Sequence, residues 1–222
     1  MWFKKKLPEL YTEDEMNAVE SHISSHFGEY KSVLHEIVSP DIHVDICMIE
    51  PTAERNYHTL VTMGMGAHRM KVPKDLRKSK VDRAEVLITL PPDWKLPIGD
   101  LEVSGEGGDE KWYWPLRWLK ILARLPGEQD TWLGYGHTVP SGEPFAENTD
   151  LCGVLITMPY YFGNEAAVCT FPDGTEINFY QVVPLYDNEM NFKIENGAEA
   201  LEDLFPDDFD MVVDVDRKNF LW

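Results

Sequence analysis

The sequence predicts an α+β fold, a mixed and mostly antiparallel sheet with flanking helices, and three observations carry that prediction. Helical apolar periodicity appears in separate places along the chain, β-branched or alternating runs fill the stretches between them, and the order reads helix, strands, helix, strands, helix. No internal repeat or low-complexity linker divides the chain. Residues 1–222 are therefore expected as a single domain, with a core over about 12–205 and an acidic C-terminal tail over 206–222.

The first helix is expected from Thr12, where Thr12-Glu13-Asp14-Glu15 forms a capping box and Met16, Val19, Ile23 and Phe27 supply the apolar stripe; Gly28 ends it. Four strand-like runs follow at Val33 to Val38, Ile42 to Glu50, Tyr57 to Met63 and Ala84 to Leu90. Between the last two, Lys71, Lys74, Arg77, Lys78, Lys80 and Arg83 make a basic stretch that reads as a solvated loop or short helix. Leu101 to Lys111 is expected as a flexible glycine-rich connection. A second helix is expected with Pro115 in its first turn, buried on most sides by Leu116, Trp118, Leu119, Ile121, Leu122, Ala123 and Leu125, with Arg117, Lys120 and Arg124 on the remaining side. Gly153 to Met158 and Ile177 to Leu185 read as strands, the second entered through a turn at Phe171-Pro172-Asp173-Gly174. Asp187 to Phe205 reads as two helical pieces broken at Asn196-Gly197, with Pro206 stopping the second.

Charge narrows the function classes. The chain carries 20 Lys+Arg against 39 Asp+Glu, and residues 126–222 hold only 3 of the basic groups with 19 of the acidic ones, a net −16. Such a chain repels nucleic acid, and its acidity serves either solubility alone or a surface that attracts a basic partner. No apolar stretch is long enough for a membrane span, and the basic N-terminus lacks the apolar region of a secretory signal. Cys47, Cys152 and Cys169 are far apart and odd in number, which fits reduced thiols and a cytoplasmic location. The 26 aromatic residues promise a large core or a sticky groove.

Motifs with defined chemistry are missing: Gly64-Met65-Gly66 lacks the third glycine of a dinucleotide fingerprint, and no nucleophile elbow, phosphate loop or HExxH string occurs. Asp41, His43 and Asp45 alternate, so a strand would point all three to one face, as a metal site needs; the competing reading is a wet strand face opposite Ile42, Val44 and Ile46. His22 and His26 sit four apart on the first helix but lack a third ligand nearby. Neither metal nor cofactor is expected. The most function-like segment is Trp132 to Pro140, where Gly134 and Gly136 permit close backbone approach, Trp132 and Tyr135 offer ring area, and His137 can orient a ligand or act as a base; the competing reading is a loop histidine that only bonds to backbone.

Several strings together resemble the suppressor of fused family: Val33-Leu34-His35-Glu36-Ile37-Val38-Ser39, His43-Val44-Asp45-Ile46, Leu60-Val61-Thr62-Met63-Gly64-Met65, Ala84 through Trp94, Trp114-Pro115 with Leu122-Ala123-Arg124, and Gly136-His137-Thr138. The resemblance spans roughly residues 12–205 and implies the domain that forms the N-terminal lobe of the longer animal proteins. Those proteins bind transcription factors, taking a short partner peptide as an added β-strand in a cleft between two lobes, and no enzymatic activity is attributed to them. In the animal pattern an acidic residue precedes the histidine; here Gly136 stands there. Stand-alone bacterial relatives are proposed to be immunity proteins that neutralise toxins. The function expected is thus a non-enzymatic, cytoplasmic protein-binding module, an immunity protein that takes a basic toxin domain or peptide by strand addition. Its partner-binding residues are Trp132, Tyr135, Gly136 and His137, with Asp207, Asp208 and Asp210 of the tail steering the encounter. The alternative is a small hydrolase or metal-dependent enzyme using His137 or the Asp41/His43/Asp45 face.

Overall fold

In the computed structural model, which describes residues 7–96 and 109–222, an open mixed sheet is sandwiched between helices. Helix α1 (Glu13–His26) starts as its capping box requires: the Glu15 amide donates to the Thr12 hydroxyl at 3.3 Å and the Thr12 amide donates back to the Glu15 carboxylate at 2.9 Å. Strands β1 (Ser32–Leu34), β2 (Asp45–Ile49), β3 (His58–Met63) and β4 (Ala84–Leu90) form an antiparallel meander. After helix α2 (Glu110–Glu128) come β5 (Thr138–Pro140), β6 (Gly153–Thr157), β7 (Val168–Thr170) and β8 (Glu176–Leu185), then α3 (Asp187–Asn196) and α4 (Ala198–Glu202). The order across the sheet is β1-β2-β3-β4-β8-β6-β5, with β7 pairing the first residues of β8. The β4–β8 ladder is parallel and joins two antiparallel halves.

The central strands are buried on both faces, so they read as continuous apolar runs rather than alternations. One face packs Ile46, Ile88 and Val182 against Trp114, Leu119 and Leu122 of α2, and the other packs Cys47, Val61, Leu87 and Phe179 against Val19, Ile23 and Phe27. Each fully buried leucine on the α2 stripe contributes roughly 1.5–3 kcal/mol. Helix α2 begins earlier than Pro115 predicts, because Asp109 caps it and Trp112 and Trp114 of its first turns pack edge-on against Trp94. That packing outweighs the backbone bond that Pro115 removes.

Three further expectations are revised. The apolar run Val33 to Val38 pairs only through Leu34, since the Glu36 amide donates to Asp45 and the Glu36 carboxylate is claimed by Arg124 and Ser39; Ile37 is left 90% exposed. The run from Ile42 becomes a strand only at Asp45, and Asp41 and His43 precede it. The short strands β5 and β7 were not expected. The expected connection at 101–111 falls largely outside the described residues.

Two carboxylates inside the fold are 0% exposed. Glu85, on β4, accepts from the hydroxyls of Tyr11 at 2.5 Å and Thr62 at 2.6 Å and from the amides of Gly64 at 2.9 Å, Gly66 at 3.1 Å and Met65 at 3.3 Å. Glu189, on α3, takes the Arg217 guanidinium in a two-pronged pair at 2.5 and 2.7 Å and also accepts the Phe220 and Tyr186 amides.

Residues 206–222, expected as a tail, run back over the end of the sheet. Met211 and Val213 are buried, Val213 donates its amide to the Thr89 carbonyl at 2.9 Å, and Val212 makes a parallel bridge to Thr89. The Arg217–Glu189 pair and the Phe205, Phe209 and Phe220 ring cluster hold the segment down.

Candidate partner-binding site

The Trp132 to Pro140 segment forms one edge of the sheet, because β5 is the last strand beyond β6. Its entry is a turn followed by a bulge. The His137 amide donates to the Gly134 carbonyl at 3.1 Å, and Gly136 lies at φ +77, which marks a type II turn with glycine at its third position. The Gly136 amide and the His137 carbonyl then both bond to Ile156, at 2.8 Å each, so two residues face one. This is why glycine stands before His137: a side chain there would have to adopt the left-handed region and would approach Ala198 at 3.2 Å.

The loop's side chains are anchored as well as displayed. The His137 ring meets the Trp132 ring edge to face at a centroid distance of 4.3 Å. Burial, with the nearby Lys193 charge, pushes the His137 pKa below its ordinary value against the Trp132 backbone bond, so the imidazole is neutral at pH 7. The Tyr135 hydroxyl donates to the Glu202 carboxylate at 2.9 Å. Thr157 donates to the other Glu202 oxygen, and Tyr160 approaches the same carboxylate at 3.4 Å. Burial and Glu202 together push the Tyr135 pKa up.

Tyr160 and Tyr161 are each half exposed and connect the loop to the acidic residues. Tyr161 donates to the Phe209 carbonyl, and its pKa is raised by burial and then by the charges of Asp210 and Asp208. Asp207, Asp208 and Asp210 are exposed. Among the described residues neither they nor Glu202 and Asp203 belongs to an ion pair, while Arg217 is spent on Glu189. The structure thus brings the two groups of predicted residues onto a common surface through Tyr160, Tyr161 and Glu202, which sequence reasoning missed. The available signal was Tyr160-Tyr161 between Pro159 and Gly163, a pair of rings in a turn-like frame.

The alternative site does not assemble as expected. Asp41 accepts from Arg124 at 3.2 Å, apart from the other two, and Asp45 is buried and shared by His35 at 2.9 Å and His43 at 3.1 Å. It is not a wet strand face. His22 is a core residue, with Nε2 3.0 Å from the Ala166 carbonyl oxygen and its ring stacked on Phe179; burial lowers its pKa despite that bond. Among the described residues no group of three or more His, Cys, Asp or Glu side chains is arranged to hold a metal ion, and no helix is long and apolar enough to cross a membrane.

Comparison with known proteins agrees with this architecture. An uncharacterized protein of Ureaplasma parvum serovar 3 is 22% identical over 214 residues, which span 95% of this chain and 98% of that one. A suppressor of fused homologue from Neisseria gonorrhoeae has a similar fold, with a TM-score of 0.62 at 18% identity over 95% of this chain and 99% of that one. A chain of the Sufu–Fu complex gives a TM-score of 0.65 at 11% identity, covering 97% of this chain and 94% of that one. Drosophila Suppressor of Fused gives 0.62 at 13% identity, with 98% of this chain matched to 52% of that one. The family model for the suppressor of fused protein matches residues 40–218, a stretch that holds every strand of the sheet after β1, the bulged edge loop and most of the returning C-terminal segment, and the chain belongs to the suppressor of fused family.

Proposed function

We propose that this chain is a non-enzymatic protein-binding module whose partner is a basic protein, and that it serves as an immunity protein by occupying a toxin's basic surface. The observation that carries this reading is the open edge of β5, flanked by half-exposed tyrosines and by carboxylates that no cation among the described residues pairs with. In β5 the Thr138 amide and carbonyl face away from β6, whereas Pro140 offers no amide, so an added strand pairs over a short length centred on Thr138. Where the animal pattern has an acid before the histidine this chain has Gly136, and Glu202 sets a carboxylate beside the loop from α4 instead. The Sufu–Fu complex, whose chain has the same fold, supports a protein ligand over a small molecule. A cytoplasmic location fits the free thiols of Cys47, Cys152 and Cys169.

The test is binding kinetics with the protein product of a toxin gene adjacent to this one. Association is expected at up to ~10⁸ M⁻¹s⁻¹ at low ionic strength and to slow steeply with salt. Replacing Asp207, Asp208 and Asp210 by Asn lowers the on-rate more than it raises the off-rate, while Tyr135→Ala raises the off-rate. Rates indifferent to salt and to all of these changes overturn the reading.

A further inference from the structure

We infer that the wedge between the diverging ends of β4 and β8 is a second strand-accepting site, separate from the β5 edge, and that its ligand is a peptide strand with an apolar centre and basic flanks. β4 and β8 pair only from Ala84↔Asn178 to Leu87↔Gln181. Beyond that point β8 keeps only its ladder to β6 on the opposite side, and the Gln181 side chain donates across the apex to the Thr89 hydroxyl at 3.2 Å. Thr89 is left with a carbonyl and a hydroxyl aimed into the gap. The chain's own Met211-Val212-Val213 fills it: Val213 donates to the Thr89 carbonyl at 2.9 Å and the Thr89 hydroxyl donates to the Met211 carbonyl at 2.8 Å. Met211 and Val213 are buried there while Val212 is only half-buried, so the slot selects apolar residues at alternate positions.

Charge decides which strand fits best. The resident strand carries Asp207, Asp208, Asp210, Asp214 and Asp216 against only Arg217 and Lys218, a net −3 added to residues 126–206, which already hold a net −13. A strand with the same apolar centre and basic flanks exchanges this repulsion for attraction. The resident strand keeps its place because it is tethered, which gives it a high local concentration, and because Arg217 is clasped to Glu189 under the Phe220 ring at 3.9 Å. The site does not depend on strand addition at β5, although the segment it releases carries Asp207, Asp208 and Asp210 of that surface, so exchange at Val213 and exchange in β5 are read separately.

The probe is a synthetic peptide of residues 207–222 carrying Asp207→Lys, Asp208→Lys, Asp210→Lys, Asp214→Lys and Asp216→Lys, with the unaltered peptide as control, titrated into the full chain while amide hydrogen exchange is followed. The basic peptide is expected to accelerate exchange at Val213 and Phe220 while the β5 region is unaffected, and the control to do so far less. Arg217→Ala should bind the basic peptide about tenfold or more tightly than wild type does, since the tethered competitor is weakened. Phe220→Ala, which removes the ring over the guanidinium together with its contacts to Phe205 and Phe209, serves the same purpose if Arg217→Ala does not fold. Binding that leaves Val213 protection unchanged places the peptide elsewhere on the acidic surface and overturns the inference, as does an absence of binding to every variant.

Discussion

Glu85 and Glu189 are equally buried and are satisfied in opposite ways. Glu85 is surrounded by neutral donors, two hydroxyls and the three amides of the Gly64-Met65-Gly66 turn, and burial still pushes its pKa up against their pull. Glu189 is paired with one cation from the far end of the chain. The first arrangement fixes a turn inside the β3–β4 hairpin and cannot come apart without opening the core. The second fastens the C-terminal segment at one point; were that segment to lift, Arg217 would go with it and water would reach Glu189. A buried carboxylate among neutral donors therefore builds the frame, whereas one paired with a distant cation holds a detachable part.

The comparison breaks if the two sites respond alike. The largest effect is expected from Glu85→Ala, which orphans five donors in the core; denaturant unfolding should show a loss of about 4 kcal/mol or more, with the whole protein destabilised. Gly64→Ala tests the same frame, since its Cβ would lie 2.0 Å from the His43 carbonyl oxygen at φ +123, and it should cost about 3 kcal/mol or more in the same assay. Arg217→Ala is expected to cost less, about 2–3 kcal/mol, because the strap can detach and hydrate Glu189; hydrogen exchange should quicken at residues 211–220 and barely change in β4. Gly136→Asp restores the acid of the animal pattern but strains the bulge, so a loss of about 1–2 kcal/mol is expected in thermal unfolding.

The smallest effect concerns pH. His22 and His137 both have pKa values below 6.5 in the folded chain, lowered mainly by burial, so the unfolded chain takes up protons first. Their neutral forms cost nothing above the unfolded value, and stability falls as pH drops below about 6.5. His22→Gln should flatten that decline in urea titrations between about pH 7 and about pH 5. An unchanged slope would mean that His22 is hydrated in the native state.

Much of the frame was legible because its signals are local. The Thr12 to Glu15 capping box, the β4 run Ala84 to Leu90 and the helix break at Gly197, at φ +96, all follow from residues within a few positions of one another. What was hidden depends on distant partners. Strands β5 and β7 exist because β6 and β8 offer edges, and α2 tolerates Pro115 because Trp94 and Phe145 pack on its first turns. The segment after Pro206 looked like a solvated tail because its acids dominate the count, yet Met211, Val213 and Phe220 sit among them as the positions that dock. The family strings were legible in sequence, and Trp132 to Pro140 read as a glycine-rich aromatic loop though not as a sheet edge; Glu202, which draws Tyr135, Thr157 and Tyr160 together, was one acid among many in its half.

The parallel seam has a kinetic consequence. β1 to β4 are neighbours in sequence and can zip as a meander, whereas Ala84 must find Asn178 across 94 residues before the two halves become one sheet. Closing a loop of that length carries an entropic penalty that short hairpins escape, and nothing is gained until the seam forms. Docking of β8 beside β4 therefore belongs late in folding. A newly made chain presents the bare edge of β4 to solvent until β8 has been synthesised, and that interval is when aggregation is most dangerous.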